Sequence, residues 1–250
     1  MLKAVTSALS IAREDWDRLA NPQGSEFNPL VSHDFFRCVE ESACAVAQTG
    51  WSPRHLVMED ADRITGIVPC YRKRHSQGEY VFDYGWADAY ERAGGRYYPK
   101  MQVSVPFSPV TGPRLLAETE AQRRELASGL IALSTQEDAS SVHITFLPEL
   151  DWLALGGKLW LQRTDIQFHW MNKGYATFDE FLASLSSQKR KNIRKERASV
   201  AAAGIKMHAL SGKDIEERHW DAFFDFYMDT GARKWGSPYL NRSFFSMIGE

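Results

Sequence analysis

Residues 71–100 hold ionisable and aromatic side chains more densely than a scaffold segment requires. Eleven Lys, Arg, His, Asp and Glu residues alternate there with eight aromatic ones. Buried charges are costly unless they are paired, and buried Tyr and Trp need hydrogen-bond partners, so the fold must pair these groups or leave them in water. A cleft that binds a polar ligand could use them together. The alternative is a solvated loop over the edge of the core, with aromatic undersides and charged tips.

The same segment offers candidate catalytic and ligand-binding groups. Histidine titrates near neutral pH and a paired carboxylate can deprotonate an amine, so the candidate catalytic residues are His75, Glu79 and Asp83. The candidate substrate-binding residues here are Tyr80, Trp86, Asp88, Tyr90 and Lys100. The alternative for the carboxylates is a structural network with Arg92 and Arg96.

A second charged segment, QKRKNIRKER at residues 188–197, has six basic residues in ten. On a helix, Arg190, Arg194 and Arg197 share one face, and cations near a helix N-terminus suit phosphate. The candidate phosphate-binding residues are Lys189, Arg190, Asn192, Arg194 and Lys195. A solvated basic face is the alternative. Because the patch is single and short, we expect no DNA partner.

Hydrophobic periodicity and capping residues predict an α/β chain, with a mixed sheet of the α+β kind flanked by helices. The first set of predicted strands is 2–9, a hairpin over 55–71 that turns at Asp60-Ala61-Asp62, 101–105 and 142–146. The helices among them are predicted over 13–20, after the cap Ser32, and over 120–136 and 151–155. The second set has strands at 168–171 and 206–210, helices at 177–185, 188–203 and 215–230, and a last helix capped by Asn241.

Composition sets broad limits. Hydrophobic content of 44%, charged content of 25% and a net charge of −2 are ordinary for a globular protein. No apolar run approaches the ~20 residues of a membrane helix, and the N-terminus lacks a signal-peptide pattern, so we expect a cytoplasmic protein. Cys38, Cys44 and Cys70 lack metal-ligand spacing, so we expect reduced thiols in the core and no metal site.

Six long segments together resemble one protein family. They are NPLVSHDFFRCVEESACA, TGWSPRHL, GEYVFDYGWADAYERAGGRYYPK, PFSPVTGPRLL, SQKRKNIRKERASVAAAGI and FYMDTGARKWGSPYLNRSFFSMIGE. With these motifs, which cover nearly the whole chain, the sequence resembles the bacterial FemAB-like family. That family is grouped with GNAT-type acyltransferases and is linked to peptidoglycan biosynthesis.

The resemblance implies tandem GNAT-like domains. Residues 1–165 would form the first, which we expect to bind the acceptor, and residues 166–250 would start a second. Several strands of that second domain have no counterpart in the sequence, so we expect a truncated domain and a chain that is inactive by itself. GNAT enzymes hold the pyrophosphate of acyl-CoA in a glycine-rich turn, whereas PFSPVTGPRLL has one glycine and prolines without N–H groups. The first domain is therefore expected to bind acyl-CoA poorly.

The resemblance also implies a function. We expect an acyl- or aminoacyltransferase of the FemAB type that acts on an amine of a peptidoglycan precursor or peptide. The resemblance fixes no cofactor and offers acyl-CoA or aminoacyl-tRNA as the donor substrate, so the expected partners are a small-molecule or muropeptide substrate and charged tRNA. The alternative is a non-catalytic ligand-binding module whose acyl-donor site has decayed.

Overall fold

A computed structural model describes residues 1–61, 63–157, 159–234 and 236–250. The chain divides into two compact units. The first unit consists of Met1–Gln162 and Glu216–Glu250, and the second unit consists of Arg163–Ile215. The division into two GNAT-like domains at residue 165 stays a prediction.

The first unit combines strands with helices. Its strands are β1 (Leu2–Val5), β2 (Trp51–Pro53), β3 (His55–Asp60), β4 (Arg63–Val68), β5 (Cys70–Lys73), β6 (Lys100–Val103), β7 (Leu116–Ala117) and β8 (Val142–Ile144). Its helices are α1 (Arg13–Ala20), α2 (His33–Glu41), α3 (Tyr84–Arg92), α4 (Glu120–Gln136) and α5 (Glu149–Ala154), and the helices α6 (Phe178–Ala183) and α7 (Ser187–Ala202) lie in the second unit. The first unit then continues with α8 (Glu217–Arg233) and α9 (Arg242–Gly249).

Two sheets share one bent hairpin. The strand order is β1-β3-β4-β7 in the first sheet and β2-β5-β6-β8 in the second. β8 pairs with β6 in parallel and the other neighbours are antiparallel, so the predicted mixed sheet is confirmed. The pairing of β2 with β5 continues the register of β3 with β4. Pro69 cannot donate a ladder hydrogen bond, and the hairpin passes from one sheet to the other beside it.

The first sheet is buried on both faces because successive side chains of a strand point to opposite sides. Val57 and Ile67 belong to the cluster that includes Trp16 of α1 and residues of α2 and α9. Leu56 and Val68, on the opposite face, belong to the cluster that includes the leucines of α4. The sheet is therefore the middle layer of the first unit.

Most predicted elements of the first unit are confirmed. Helices α1 and α4 have the predicted bounds, and β3 and β4 form the predicted hairpin, although Asp62 of its turn lies outside the described residues. The three cysteines are buried free thiols. Helix α3 was not predicted.

Helix α2 begins after Ser32 as predicted but is capped by a different residue. The Ser32 hydroxyl donates to the Pro29 carbonyl (2.6 Å), and the His33 N–H donates to Asp17 Oδ1 of α1 (2.8 Å). A tertiary contact thus replaces the local cap, which a sequence pattern does not reveal.

The second unit contains the predicted helices but not the predicted strands. The Glu180 N–H donates to Thr177 Oγ1 (3.2 Å) at the start of α6, and α7 ends just before Gly204, which has φ +70°. The strands predicted at 168–171 and 206–210 are wrong, since neither segment joins a sheet. A strand needs a neighbour for its N–H and carbonyl groups, and neither segment has one among the described residues.

Candidate functional site

Two buried lysines face each other across neighbouring strands of the second sheet. Lys73 of β5 and Lys100 of β6 are register partners, and both side chains are 0% exposed. Like charges directly opposite on adjacent strands destabilise a sheet, and burial adds to the cost of each ammonium group. This position therefore requires anionic partners.

The chain between β5 and α3 supplies these partners. Lys100 Nζ donates to Glu79 Oε2 (2.7 Å), to Asp83 Oδ2 (2.5 Å) and to Ser76 Oγ (2.8 Å). Glu79 and Asp83 are 2% and 3% exposed. We name Lys73, Glu79, Asp83 and Lys100 the lysine–carboxylate cluster. Its two carboxylates come from residues four positions apart in one segment and meet at a single ammonium group.

Lys73 is bound in a different way. Its Nζ lies 3.4 Å from the centroid of the Trp51 ring, donates to the Gln77 carbonyl (3.0 Å) and lies 3.8 Å from Glu79 Oε1. Burial lowers the pKa of Lys73 to about 6; the Glu79 carboxylate opposes this shift and the Lys100 ammonium adds to it. The Lys73 amine is therefore mostly neutral at pH 7 and still donates a hydrogen bond.

The two carboxylates have pKa values displaced in opposite directions. Burial raises the pKa of Glu79 above its ordinary value, and the Lys100 ammonium group, with a smaller effect of Lys73, only partly reverses the shift. Burial also acts to raise the pKa of Asp83, but hydrogen bonds from Lys100 and its neighbours outweigh burial and hold that pKa below its ordinary value. Two carboxyl groups whose pKa values differ in this way can have different roles, because one stays ionised while the other exchanges a proton.

Each carboxylate keeps one oxygen without a hydrogen bond. Glu79 Oε1 and Asp83 Oδ1 are buried and accept no hydrogen bond from the described residues. Most buried polar atoms in proteins are hydrogen-bonded, so two such acceptors in one cluster call for an explanation. Both atoms can accept a proton or a hydrogen bond from a ligand.

A polar pocket of about 570 Å³ lies beside the cluster. The residues that line it are Gln77, Tyr84, Ala232, Gly236, Ser237 and Tyr239. Gln77 connects the pocket with the lysine–carboxylate cluster, because it lines the pocket and its carbonyl accepts the hydrogen bond from Lys73. Tyr239 stacks on Phe107 at 5.2 Å between ring centroids, and Phe107 contacts Trp51 at 5.1 Å. The pocket volume falls in the range of small-molecule sites.

His75 lies near the cluster but has both ring nitrogens engaged. Nε2 lies 2.9 Å from the Thr49 carbonyl, and the Gln77 N–H donates to Nδ1 (3.2 Å). Burial lowers the pKa of His75, and the nearby Lys73 acts in the same direction. The ring is therefore a neutral imidazole with its proton on Nε2, and neither nitrogen is left to take up another proton without losing a contact.

The other predicted residues of the 71–100 segment lie outside the cluster. Tyr80, Trp86 and Tyr90 are 46%, 65% and 48% exposed, and none of them lines the pocket. Asp88 pairs with Arg92 on the surface of α3 (2.9 Å). The structure thus gathers two carboxylates and one lysine of the predicted set, and a binding role for the exposed residues stays a prediction.

In the second unit, α7 carries the predicted phosphate-binding residues. Lys189, Asn192, Arg194 and Lys195 are exposed. The Arg190 guanidinium lies 3.2–3.4 Å from three carbonyl oxygens at the C-terminal end of α6, so it acts as a cap of that helix. A role of these five residues toward phosphate stays a prediction.

Sequence reasoning missed Lys73, Ser76 and Tyr97. The Tyr97 hydroxyl donates to Asp83 Oδ2 (2.7 Å), and Ser76 accepts from Lys100. The alternative of a carboxylate network with Arg92 and Arg96 holds for Asp88, which pairs with Arg92, but it is wrong for Glu79 and Asp83, whose cationic partners in the structure are lysines. One signal was available: Lys73 follows the predicted hairpin over 55–71 and Lys100 precedes the predicted strand 101–105, and a lysine beside a buried strand needs a nearby carboxylate.

Lys73→Met should remove a pH dependence of stability. Between about pH 6 and pH 10 the unfolded chain binds a proton at Lys73 that the folded chain does not, so this residue makes stability rise with pH by up to about 1.4 kcal/mol per unit. Urea unfolding at about pH 7 and pH 8 should therefore show a smaller rise for the variant than for the wild type. Lys3→Met, which removes an exposed lysine, is the control. Equal slopes for wild type and Lys73→Met would contradict the assignment.

In the described parts of the chain, no helix has both the length and the apolarity needed to cross a bilayer.

Comparison with known proteins gives one match. No curated protein and no solved structure matches the sequence. The profile of the FemAB-like family, described as peptidoglycan biosynthesis/recognition, matches residues 7–250. Because this match spans nearly the whole chain, the resemblance predicted from the motifs is confirmed, and the protein belongs to the FemAB-like family of peptidoglycan biosynthesis and recognition.

Proposed function

We propose that this protein transfers an acyl or aminoacyl group to an amine of a peptidoglycan precursor or peptide. Family membership supports the connection to peptidoglycan. The observation that carries the proposal is the opposite displacement of the pKa values of Glu79 and Asp83 beside a polar pocket, since an amine nucleophile must lose a proton to a base.

The reaction uses the two carboxylates for different tasks. The amine nitrogen attacks the carbonyl carbon of the donor ester or thioester, the C–N bond forms, and the C–O or C–S bond breaks. Glu79 Oε1 takes the proton that the amine loses and returns it to the departing alcohol or thiol, so Glu79 ends the reaction in its starting state. Asp83 stays ionised and holds Lys100, whose ammonium donates to Glu79 Oε2. His75 is a weaker candidate for the base because both its ring nitrogens are engaged.

We assign residues 1–165, which include most of the first unit, to a GNAT-like domain that binds the acceptor. In a GNAT enzyme the turn that corresponds to residues 106–116 binds the pyrophosphate through its N–H groups. Here several of these N–H groups donate hydrogen bonds to other atoms of the protein. Those of Phe107 and Gly112 donate to backbone carbonyls (3.1 and 3.2 Å), and that of Arg114 donates to Asp151 Oδ2 (2.7 Å). This supports the expectation that the unit binds acyl-CoA poorly. We assign phosphate binding to Lys189, Arg190, Asn192, Arg194 and Lys195 of α7.

A second candidate function is a non-catalytic binding module. The burial of the cluster favours it, because Glu79 and Asp83 are 2% and 3% exposed and a substrate amine reaches them only if the chain around residues 76–83 moves. On this reading the carboxylates stabilise the sheet, and the pocket alone binds the ligand.

One assay separates the two candidates. The protein is mixed with a nucleotide-linked muropeptide, and with either acetyl-CoA or alanyl-tRNA as donor. The transferase proposal expects a muropeptide product heavier by one acetyl or alanyl group in mass spectrometry. Calorimetry measures muropeptide binding in parallel. Binding without product supports the binding module, and the absence of both binding and product overturns both candidates.

A further inference from the structure

Charge is distributed unevenly between the two units. Residues 163–215, the second unit, contain ten Lys and Arg against five Asp and Glu, whereas the rest of the chain contains 20 against 27. Six of the ten basic residues lie on α7, none of whose residues is buried. The second unit thus has a cationic surface in a protein of nearly balanced charge.

The second unit also exposes large apolar side chains. Ile166, Phe168, Trp170 and Met171 are 79%, 95%, 66% and 71% exposed. Single exposed apolar residues are ordinary, but four within six positions form a patch, and such patches mark surfaces that contact a partner or a membrane.

The apolar patch and the basic helix are connected by direct contacts. The Trp170 ring lies 6.1 Å from the Phe181 ring, which lies 5.6 Å from the Phe178 ring. The Arg197 guanidinium lies over the Phe178 ring at 4.4 Å, and Arg194 lies 3.6 Å from Asp179, the residue after Phe178. We name Ile166, Phe168, Trp170, Phe178, Arg194 and Arg197 the aromatic–basic face.

We propose that the aromatic–basic face binds the surface of an anionic phospholipid bilayer. Basic residues attract anionic headgroups, aromatic rings lie at the level of the headgroups, and neighbouring apolar side chains enter the acyl region. A nucleic acid could contact the basic side chains through its phosphates and the aromatic rings through its bases, but it has no apolar region in which the side chains of Ile166 and Met171 could be buried. A soluble phosphate explains only the cations.

The inference deepens the phosphate role proposed for α7 and rests on it in part. The sequence pattern leaves the source of the phosphate open, and the apolar residues beside α7 argue for lipid headgroups. The pocket and the lysine–carboxylate cluster take no part in it, so the bilayer inference and the transferase proposal can fail separately.

Vesicle sedimentation tests the inference. The protein is mixed with vesicles of phosphatidylcholine alone, or of phosphatidylcholine with phosphatidylglycerol, at low and high salt. We expect binding to the anionic vesicles, weakened by salt, and little binding to the neutral ones. The double variant Ile166→Ser with Phe168→Ser should bind roughly tenfold more weakly, and so should Arg194→Gln with Arg197→Gln.

A matched control and two competing occupants complete the test. Phe226 is 71% exposed on α8 of the first unit, beside Asp225, and Phe226→Ser should leave vesicle binding unchanged.

Equal binding to both vesicle types, or unchanged binding by the two double variants, would overturn the inference. Binding of single-stranded RNA without vesicle binding would assign the face to nucleic acid. Self-association without vesicle binding, measured by sedimentation velocity, would assign it to a second copy, and either result would also overturn the inference.

Discussion

Replacing Lys100 with Met should lower the free energy of unfolding by about 3–5 kcal/mol, because it leaves Glu79 and Asp83 buried without the cation that both contact. Denaturant unfolding at about pH 7, followed by tryptophan fluorescence, measures the loss. The loss should shrink as the pH falls, since the carboxylates that lost their partner then take up protons. Lys3→Met is the control: its partner is Glu59 on the surface, and such pairs contribute about 1 kcal/mol or less.

A triple variant distinguishes the charge effect from a general disturbance of packing. Lys100→Met combined with Glu79→Gln and Asp83→Asn removes the buried charges together with their counter-charge. Replacing a whole buried ion group is often neutral, whereas removing one partner is not, so the triple variant should regain a large part of the lost stability. A triple variant as unstable as Lys100→Met would show that the lysine stem, and not its charge, stabilises this region.

Glu79→Gln should lower the rate of transfer by about 10²–10⁴-fold if Glu79 takes the proton from the attacking amine. An amide keeps the shape of the side chain and a hydrogen-bond acceptor for Lys100, but it cannot act as the base. Muropeptide binding should change far less than the rate, because the pocket is left intact. The ratio kcat/KM of the wild type should fall as the pH decreases through the pKa of Glu79, which lies above the ordinary value of a glutamate.

Glu118→Gln is the matched control for this experiment. Glu118 is an exposed glutamate that pairs with Arg18 (2.6 Å) and Arg63 (2.9 Å), away from the cluster. It should keep the wild-type rate and the wild-type pH profile. A Glu79→Gln variant that transfers at the wild-type rate would show that Glu79 is not the base, and would leave the carboxylates with a structural role only.

Much of the first unit could be predicted from local patterns. Helix α4 shows a helical period of leucines and a capping threonine, and the hairpin of β3 and β4 shows two strand-like runs around a short turn. Such signals depend on residues close together in sequence. The strands predicted at 168–171 and 206–210 failed because strand formation depends on a neighbouring strand, which a local pattern cannot guarantee.

The candidate site could be predicted only in part. The density of charge in residues 71–100 pointed to Glu79, Asp83 and Lys100, because buried charges of both signs require each other. Lys73 could not be assigned, since its role depends on the register between β5 and β6, two strands separated by a long segment of chain. The same register determines that lysines, and not Arg92 or Arg96, meet Glu79 and Asp83.

The bent hairpin has a consequence for access to the buried lysines. The strands of this hairpin continue from the first sheet into the second, where β5 lies between β2 and β6, so Lys73 cannot move outward unless ladder hydrogen bonds break in a region that also contains the core of the first unit. Residues 76–83 belong to no strand and no helix. Any gate between solvent and the two lysines must therefore open on the side of this segment, and its opening can leave the sheets intact.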